Sequence, residues 1–136
     1  MLRRFPSDVV KQVVTALKEQ SLIDDAKFAH QWRDYRDRIK PRSASAIRRE
    51  LVQKGVARDT AEIAVTDMDD YDSAYRSAAK PAMRLNDADF VTFRRRLWGH
   101  LERRGYSYAV TRRTVDRLWD EIQESRTEPP GDAGEC

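Results

Sequence analysis

Two stretches of this 136-residue chain match each other at a spacing of 50 positions, and that repeat limits the possible folds more than any other feature. Lys54-Gly55-Val56 leads into a helical stripe of Ala61, Ala64, Val65 and Met68. Arg104-Gly105-Tyr106 leads into the equivalent stripe of Thr111, Thr114, Val115 and Leu118. A third copy is fainter: Arg4-Phe5 precedes Val10, Val13, Val14 and Leu17 at an offset of 51, without the glycine. The unit reads as helix, basic helix, glycine turn, helix. The expected organisation is therefore the last helix of an incomplete first repeat (1–22), three-helix repeats at 23–70 and 71–124, and a disordered acidic tail at 125–136. Units this small cannot bury an apolar face alone, so the expected fold is all-α, with tandem three-helix repeats stacked in a curved array.

Helical periodicity supports seven segments. Ser7 can cap the first, whose stripe is Val10, Val13, Val14 and Leu17. Asp24 can cap a second that turns Phe28, Trp32, Tyr35 and Ile39 inward until Pro41 stops it. Ser43 or Ser45 opens a third around Ile47 and Leu51, closed by Gly55. A fourth runs from Arg58 to Met68, and a fifth from near Asp72 carries Tyr75, Ala78, Ala82 and Leu85, with Pro81 kinking it or ending it. The sixth starts at Asp87 or Asp89 and buries Phe90, Phe93, Leu97 and Leu101. The seventh, Ser107 to Glu124, buries Val110, Val115, Leu118 and Ile122.

Composition excludes several classes. Cys136 is the only cysteine and the histidines are His30 and His100, so an internal disulfide framework is impossible and a structural zinc site is short of ligands. No apolar run approaches the ~20 residues of a membrane span, and Met1-Leu2-Arg3-Arg4-Phe5-Pro6 lacks a secretory apolar stretch. A soluble, unexported, cytoplasmic protein is expected. Gly55, Gly99, Gly105, Gly131 and Gly134 form neither a Walker pattern nor G-x-G-x-x-G. Asp24-Asp25 and Asp69-Asp70 read as helix caps more readily than as metal or acid/base carboxylates. Neither enzymatic activity nor a cofactor is expected.

Charge is where the sequence speaks of partners. The net +3 conceals alternating blocks: +6 over 1–56, −4 over 57–93, +6 over 94–119 and −5 over 120–136. The basic positions are mostly arginine, whose guanidinium suits phosphate and carboxylate through paired hydrogen bonds. Candidate partner-binding residues are Arg33, Arg36, Arg42, Arg48, Arg49 and Lys54 in the first basic block, and Arg94, Arg95, Arg96, Arg103 and Arg104 in the second. The competing reading is a set of solvated helix faces. Phe28, Trp32, Tyr35, Trp98 and Trp119 could stack on bases, but at helical spacing they read first as core.

Ser21-Leu22-Ile23-Asp24-Asp25-Ala26-Lys27-Phe28-Ala29, followed by a basic stretch and then Ile47-Arg48-Arg49-Glu50-Leu51-Val52-Gln53-Lys54-Gly55-Val56, resembles the core of RecX, the bacterial regulator of the RecA recombinase. Leu101-Glu102-Arg103-Arg104-Gly105-Tyr106-Ser107 resembles the start of that family's last helix. The similarity runs from about Arg3 to Glu121, with Ser21 standing where the family commonly has glycine. It implies tandem three-helix repeats, without enzymatic activity, that bind the RecA filament and modulate its ATPase, strand exchange and co-protease functions, inhibition being the favoured direction. It implies a monomer acting on RecA, with single- or double-stranded DNA as a further candidate partner and no membrane. The alternative is a helical module that binds DNA directly.

Overall fold

The computed structural model describes residues 7–127 and folds them into six α-helices, with no strand among the described residues. They are α1 (Ser7–Ile39), α2 (Ala44–Gln53), α3 (Arg58–Val65), α4 (Asp70–Arg84), α5 (Phe90–Arg103) and α6 (Tyr108–Thr127). The first two expected helices are one. No glycine or proline lies between Ser7 and Pro41, so nothing interrupts the ladder at Ser21–Asp24, and Asp24 sits inside α1 accepting a hydrogen bond from Gln20 instead of capping a helix. The expected boundary at 22/23 therefore falls within a helix. The tail expected from 125 begins inside α6, and its residues 128–136 lie outside the described residues.

Helices α2, α4, α5 and α6 start where short polar side chains can replace missing backbone partners, whereas α3 follows Ala57 without a side-chain cap. Ser43 Oγ accepts from the Ala46 amide at the head of α2, Asp69 from the Tyr71 and Asp72 amides at the head of α4, and Asp89 from the Thr92 amide at the head of α5. Ser107 Oγ accepts from the Val110 amide at the head of α6. Pro81 neither ends nor visibly breaks α4, which continues to Arg84.

Two separate cores result. Helices α1, α2 and α3 enclose Ala29, Ile47, Leu51, Val56, Ala61, Ala64 and Val65. Helices α4, α5 and α6 enclose Ala74, Ala78, Ala82, Phe93, Leu97, Leu101, Tyr106, Val110, Val115, Leu118 and Ile122. The repeat positions coincide: Val56 and Tyr106 are buried alike, and Thr111 and Thr114 take the places of Ala61 and Ala64. Thr114 is tolerated because its hydroxyl donates to the Val110 carbonyl, 2.8 Å away. The second core is the larger because it carries Phe93 and Tyr106 where the first relies on smaller residues.

Helix α1 departs from its expected face. Its buried residue is Ala29, while Phe28, Tyr35 and Ile39 are 39%, 48% and 54% exposed. The small Ala29 side chain permits close approach to the neighbouring helices, and Trp32 packs alongside it at the margin. Every residue from 7 to 24 is exposed, including Val10, Val13, Val14 and Leu17. Phe90, expected inward, is instead 38% exposed and meets Trp119 edge-on.

The two cores meet at a glycine turn. Gly105 has φ +88°, and a Cβ there would lie 2.6 Å from Ser43 Oγ and 2.8 Å from Ala46 Cβ, so α2 of the first unit touches the α5–α6 turn of the second. The Ser43 amide donates to the Arg104 carbonyl at 3.1 Å, and the Ala44 amide to the Asp70 carboxylate at 2.9 Å. Within the second unit, the Tyr106 hydroxyl shares a 2.8 Å hydrogen bond with Ser73, and burial pushes its phenol up to about 12. Gly55 has the same left-handed backbone, φ +97°, but faces open space. Gly55→Ala should therefore cost about 1–2 kcal/mol for the backbone alone. Gly105→Ala should cost a further ~1–3 kcal/mol for the overlap. Urea unfolding of the two variants checks the difference.

Candidate interaction surface

The sequence-derived arginines fall into two groups in space, those spent on internal partners and those left at the surface. Arg33 belongs to the first: it donates to Asp67 at 2.8 Å and to the Ala64 carbonyl at 3.3 Å, tying α1 to the end of α3. Glu50 is a hub on α2, accepting from Trp32 Nε1 at 3.0 Å and Arg36 Nε at 3.1 Å, with Arg42 Nη1 at 3.4 Å. Arg48 pairs with Glu62 on α3 at 3.3 Å. Arg33 and Arg36 keep less than a third of their side chains exposed, so they contribute to holding the first unit together.

The second group is accessible. Arg49 and Lys54 on the first unit, and Arg94, Arg95, Arg96 and Arg103 on α5, are exposed; Arg104 at the joint is half-buried. Lys54 lies 4.3 Å above the Trp32 ring and Arg94 lies 4.4 Å above Trp98, so both long side chains rest on aromatic faces. Such contacts hold a cation in place at little cost to its outward hydrogen-bonding capacity. The tryptophans serve as packing at the core margins, as their helical spacing suggested.

A further cationic row was not singled out from the sequence. Arg113 sits 4.6 Å from the Tyr71 ring and Arg117 3.9 Å from the Tyr75 ring, forming two rungs between α4 and α6. The signal was available: both pairs are four residues apart, which places them on one helix face. Tyr75 also donates its hydroxyl to Glu121 at 2.7 Å, and that carboxylate raises the tyrosine's pKa.

His100 has a structural occupation that follows from Pro81. Proline has no N–H, so the Ser77 carbonyl four residues earlier has no intrahelical donor. His100 Nε2 lies 3.0 Å from that carbonyl and supplies it, while Arg104 Nη1 lies 3.4 Å from Nδ1 and fixes the opposite nitrogen as the acceptor. Burial, followed by the Arg104 charge, pushes the imidazole below its usual range. Since the folded state resists protonation that the unfolded chain accepts, this stabilisation is complete above the ordinary histidine pKa of about 6.5 and is lost as pH falls through and below it. His100→Gln should flatten this acid-side slope in denaturant midpoints. The cost of His100→Ala should shrink in a Pro81→Ala background, where residue 81 offers its own N–H, and a double-mutant cycle measures that coupling.

No group of three or more His, Cys, Asp or Glu side chains that could hold a metal occurs among the described residues, and no described helix is long and apolar enough to cross a membrane.

Comparison with known proteins agrees with this architecture. Residues 24–65, essentially the later part of α1 with α2 and α3, match the family model described as RecX, second three-helix domain. The chain is 35% identical over 116 residues to the regulatory protein RecX of Prosthecochloris aestuarii, covering 84% of this chain and 75% of that protein. It is 29% identical over 120 residues to that of Chlorobium limicola, covering 88% and 76%. To that of Streptomyces coelicolor it is 31% identical over 135 residues, covering 97% and 71%. No solved structure matches significantly. With two three-helix units in place and these similarities running through both, the chain belongs to the RecX family of regulatory proteins.

Proposed function

We propose that this chain is a regulator of the RecA recombinase that binds the RecA filament and inhibits its ATPase, strand-exchange and co-protease functions. It works in the cytoplasm as a monomer, without enzymatic chemistry or a cofactor of its own. The reading rests on membership of a family whose relatives are named regulatory protein RecX. What supports a contact role for the basic surface is the division among its arginines. Arg33, Arg36 and Arg48 face carboxylates of their own molecule, whereas Arg49, Arg95, Arg96 and Arg103 stand exposed on α2 and α5.

Both exposed sets project from the second helix of their unit, at different positions of the repeat: at the offset of 50, Arg49 corresponds to Gly99, and Arg95 and Arg96 to Ser45 and Ala46. A filament presents its surface at regular intervals, and two sparse basic patches on one chain gain from simultaneous engagement. Arginine pairs with either carboxylate or phosphate, so acidic protein surface and bound DNA are both suitable chemistry for the far side of the contact. Direct binding to DNA is the second reading, favoured by the arginine cluster at the joint. It predicts affinity that falls steeply with salt in the absence of RecA.

The test is DNA-dependent ATP hydrolysis by RecA filaments with added protein. Arg95→Glu/Arg96→Glu and, separately, Arg49→Glu should lose inhibition while helicity and melting stay within about 0.5 kcal/mol of the parent, because these side chains are exposed. Arg48→Glu is a poorer probe, since it would set a second carboxylate against Glu62. Full inhibition by both exposed variants would exclude the arginine face as the contact.

A further inference from the structure

The joint between the two units gathers more positive charge than its carboxylates neutralise. A groove of about 380 Å³ is lined by Arg42 just before α2, Arg49 on α2 and Arg103 at the end of α5, and it also reaches Glu50 and Glu102. Burial, and then the charge of Arg42, push the guanidinium pKa of the adjoining Arg104 down. Glu50 is already committed to Arg36 and Trp32 as well as Arg42. The Nε–H groups of Arg42 and Arg104 are buried without an acceptor, although each guanidinium is held at one end, by Glu50 and by His100 respectively. Buried donors without partners are rare in native proteins. Here one belongs to an arginine that lines the groove and the other to the residue between Arg103 and Gly105, which both line it, and the two like charges are close enough to oppose each other.

We propose that this groove is a phosphate-oxyanion site straddling the joint, taking a phosphate group either free or within a nucleic-acid backbone. The chemistry fits the donors. Guanidinium groups bind phosphate through paired N–H donors. A tetrahedral oxyanion carries lone pairs in several directions and can accept from both sides of the joint, which a planar carboxylate accepting mainly in one plane does less well. The wall of the groove is the turn at Gly105, and Arg49 Nη2 would be 3.6 Å from a Cβ there, so the glycine also keeps the approach open. Because the donors come from both three-helix units, an occupant braces one against the other. Binding to the folded joint alone then raises the stability of the whole chain.

The inference deepens the arginine-face reading by naming a ligand class at one place on it, and its test uses no RecA, so either can fail while the other stands. The full chain is melted in increasing inorganic phosphate and in sodium chloride at matched ionic strength, with phosphorus NMR line width as the direct measure of binding. A fluorescein-labelled single-stranded oligonucleotide without terminal phosphates forms the second arm. Two variants accompany the parent: Arg42→Gln/Arg104→Gln at the buried donors and Arg49→Gln/Arg103→Gln at the exposed rim, the latter expected to fold normally. The parent should show a saturable rise in Tm and line broadening specific to phosphate, and each double variant should bind about tenfold more weakly or worse. Oligonucleotide binding that inorganic phosphate displaces, and that both variants weaken, assigns the site to a phosphodiester backbone; a response to inorganic phosphate alone assigns it to the free anion. Equal behaviour of parent and rim variant in both arms overturns the proposal, as does a parent that responds to phosphate no more than to chloride.

Discussion

The close approach of the Gly105 turn to α2 is the contact on which the rest of the arrangement depends. Each core is complete within its own three helices, so nothing in the apolar packing alone decides how the units lie together. That decision falls to a few polar contacts: Ser43 against Gly105, the Ser43 amide on the Arg104 carbonyl, the Ala44 amide on Asp70, and Arg76 of α4 donating to the carboxylate and carbonyl of Asp37 on α1. Burial pushes the Asp70 pKa up while its bond to the α2 amide pulls the other way, as expected for a carboxylate placed at a helix N-terminus in a half-covered site. A side chain at residue 105 would force these partners apart. The close approach of α2 to the end of α5, and with it the spacing of the arginines they carry, requires that residue 105 have no side chain.

Carboxylates then sort the arginines. A helix rich in basic residues presents some of them to neighbouring helices whether or not function requires it, and these need partners once partly desolvated. Glu50, Glu62 and Asp67 supply them to Arg36, Arg42, Arg48 and Arg33. Exposed pairs of this kind contribute little individually, but Glu50, mostly covered and bound to three donors, secures the seam between α1 and α2. Arg49 and the arginines of α5 stand exposed instead. The acidic residues of the intervening block are largely consumed as caps and internal partners, which leaves the basic surface uncancelled where it faces outward.

The pairing of Pro81 with His100 shows the same logic on a smaller scale. A proline inside a helix removes one donor, and the structure returns it from a different helix, across 23 positions of sequence. This lets α4 run unbroken to Arg84 and keeps Ala74, Ala78 and Ala82 in register against α6. Neutral imidazole is the form that can also accept from Arg104, so the acid side of the stability curve becomes linked to the joint.

The sequence by itself determined the helical class, the 50-residue repeat, the inward stripe of α6 and most of those of α3 and α5, because period and punctuation are local properties: turns at Gly55 and Gly105, a stop at Pro41, and caps narrowed to Ser43 or Ser45 and to Asp87 or Asp89, of which the structure uses Ser43 and Asp89. It also carried the family resemblance, through two segments whose mutual distance survives in the fold. Tertiary structure alone decided the rest. Periodicity pointed to Phe28, Tyr35 and Ile39 as the inner face of α1, but backbone proximity favoured the smaller Ala29, and a propensity for Asp24 to cap gave way to an uninterrupted ladder. Likewise, no local signal distinguishes Arg33 from Arg95, or His30 from His100. Their roles depend on which carboxylate, carbonyl or open groove lies opposite, and such partners are chosen by packing between residues far apart in the chain.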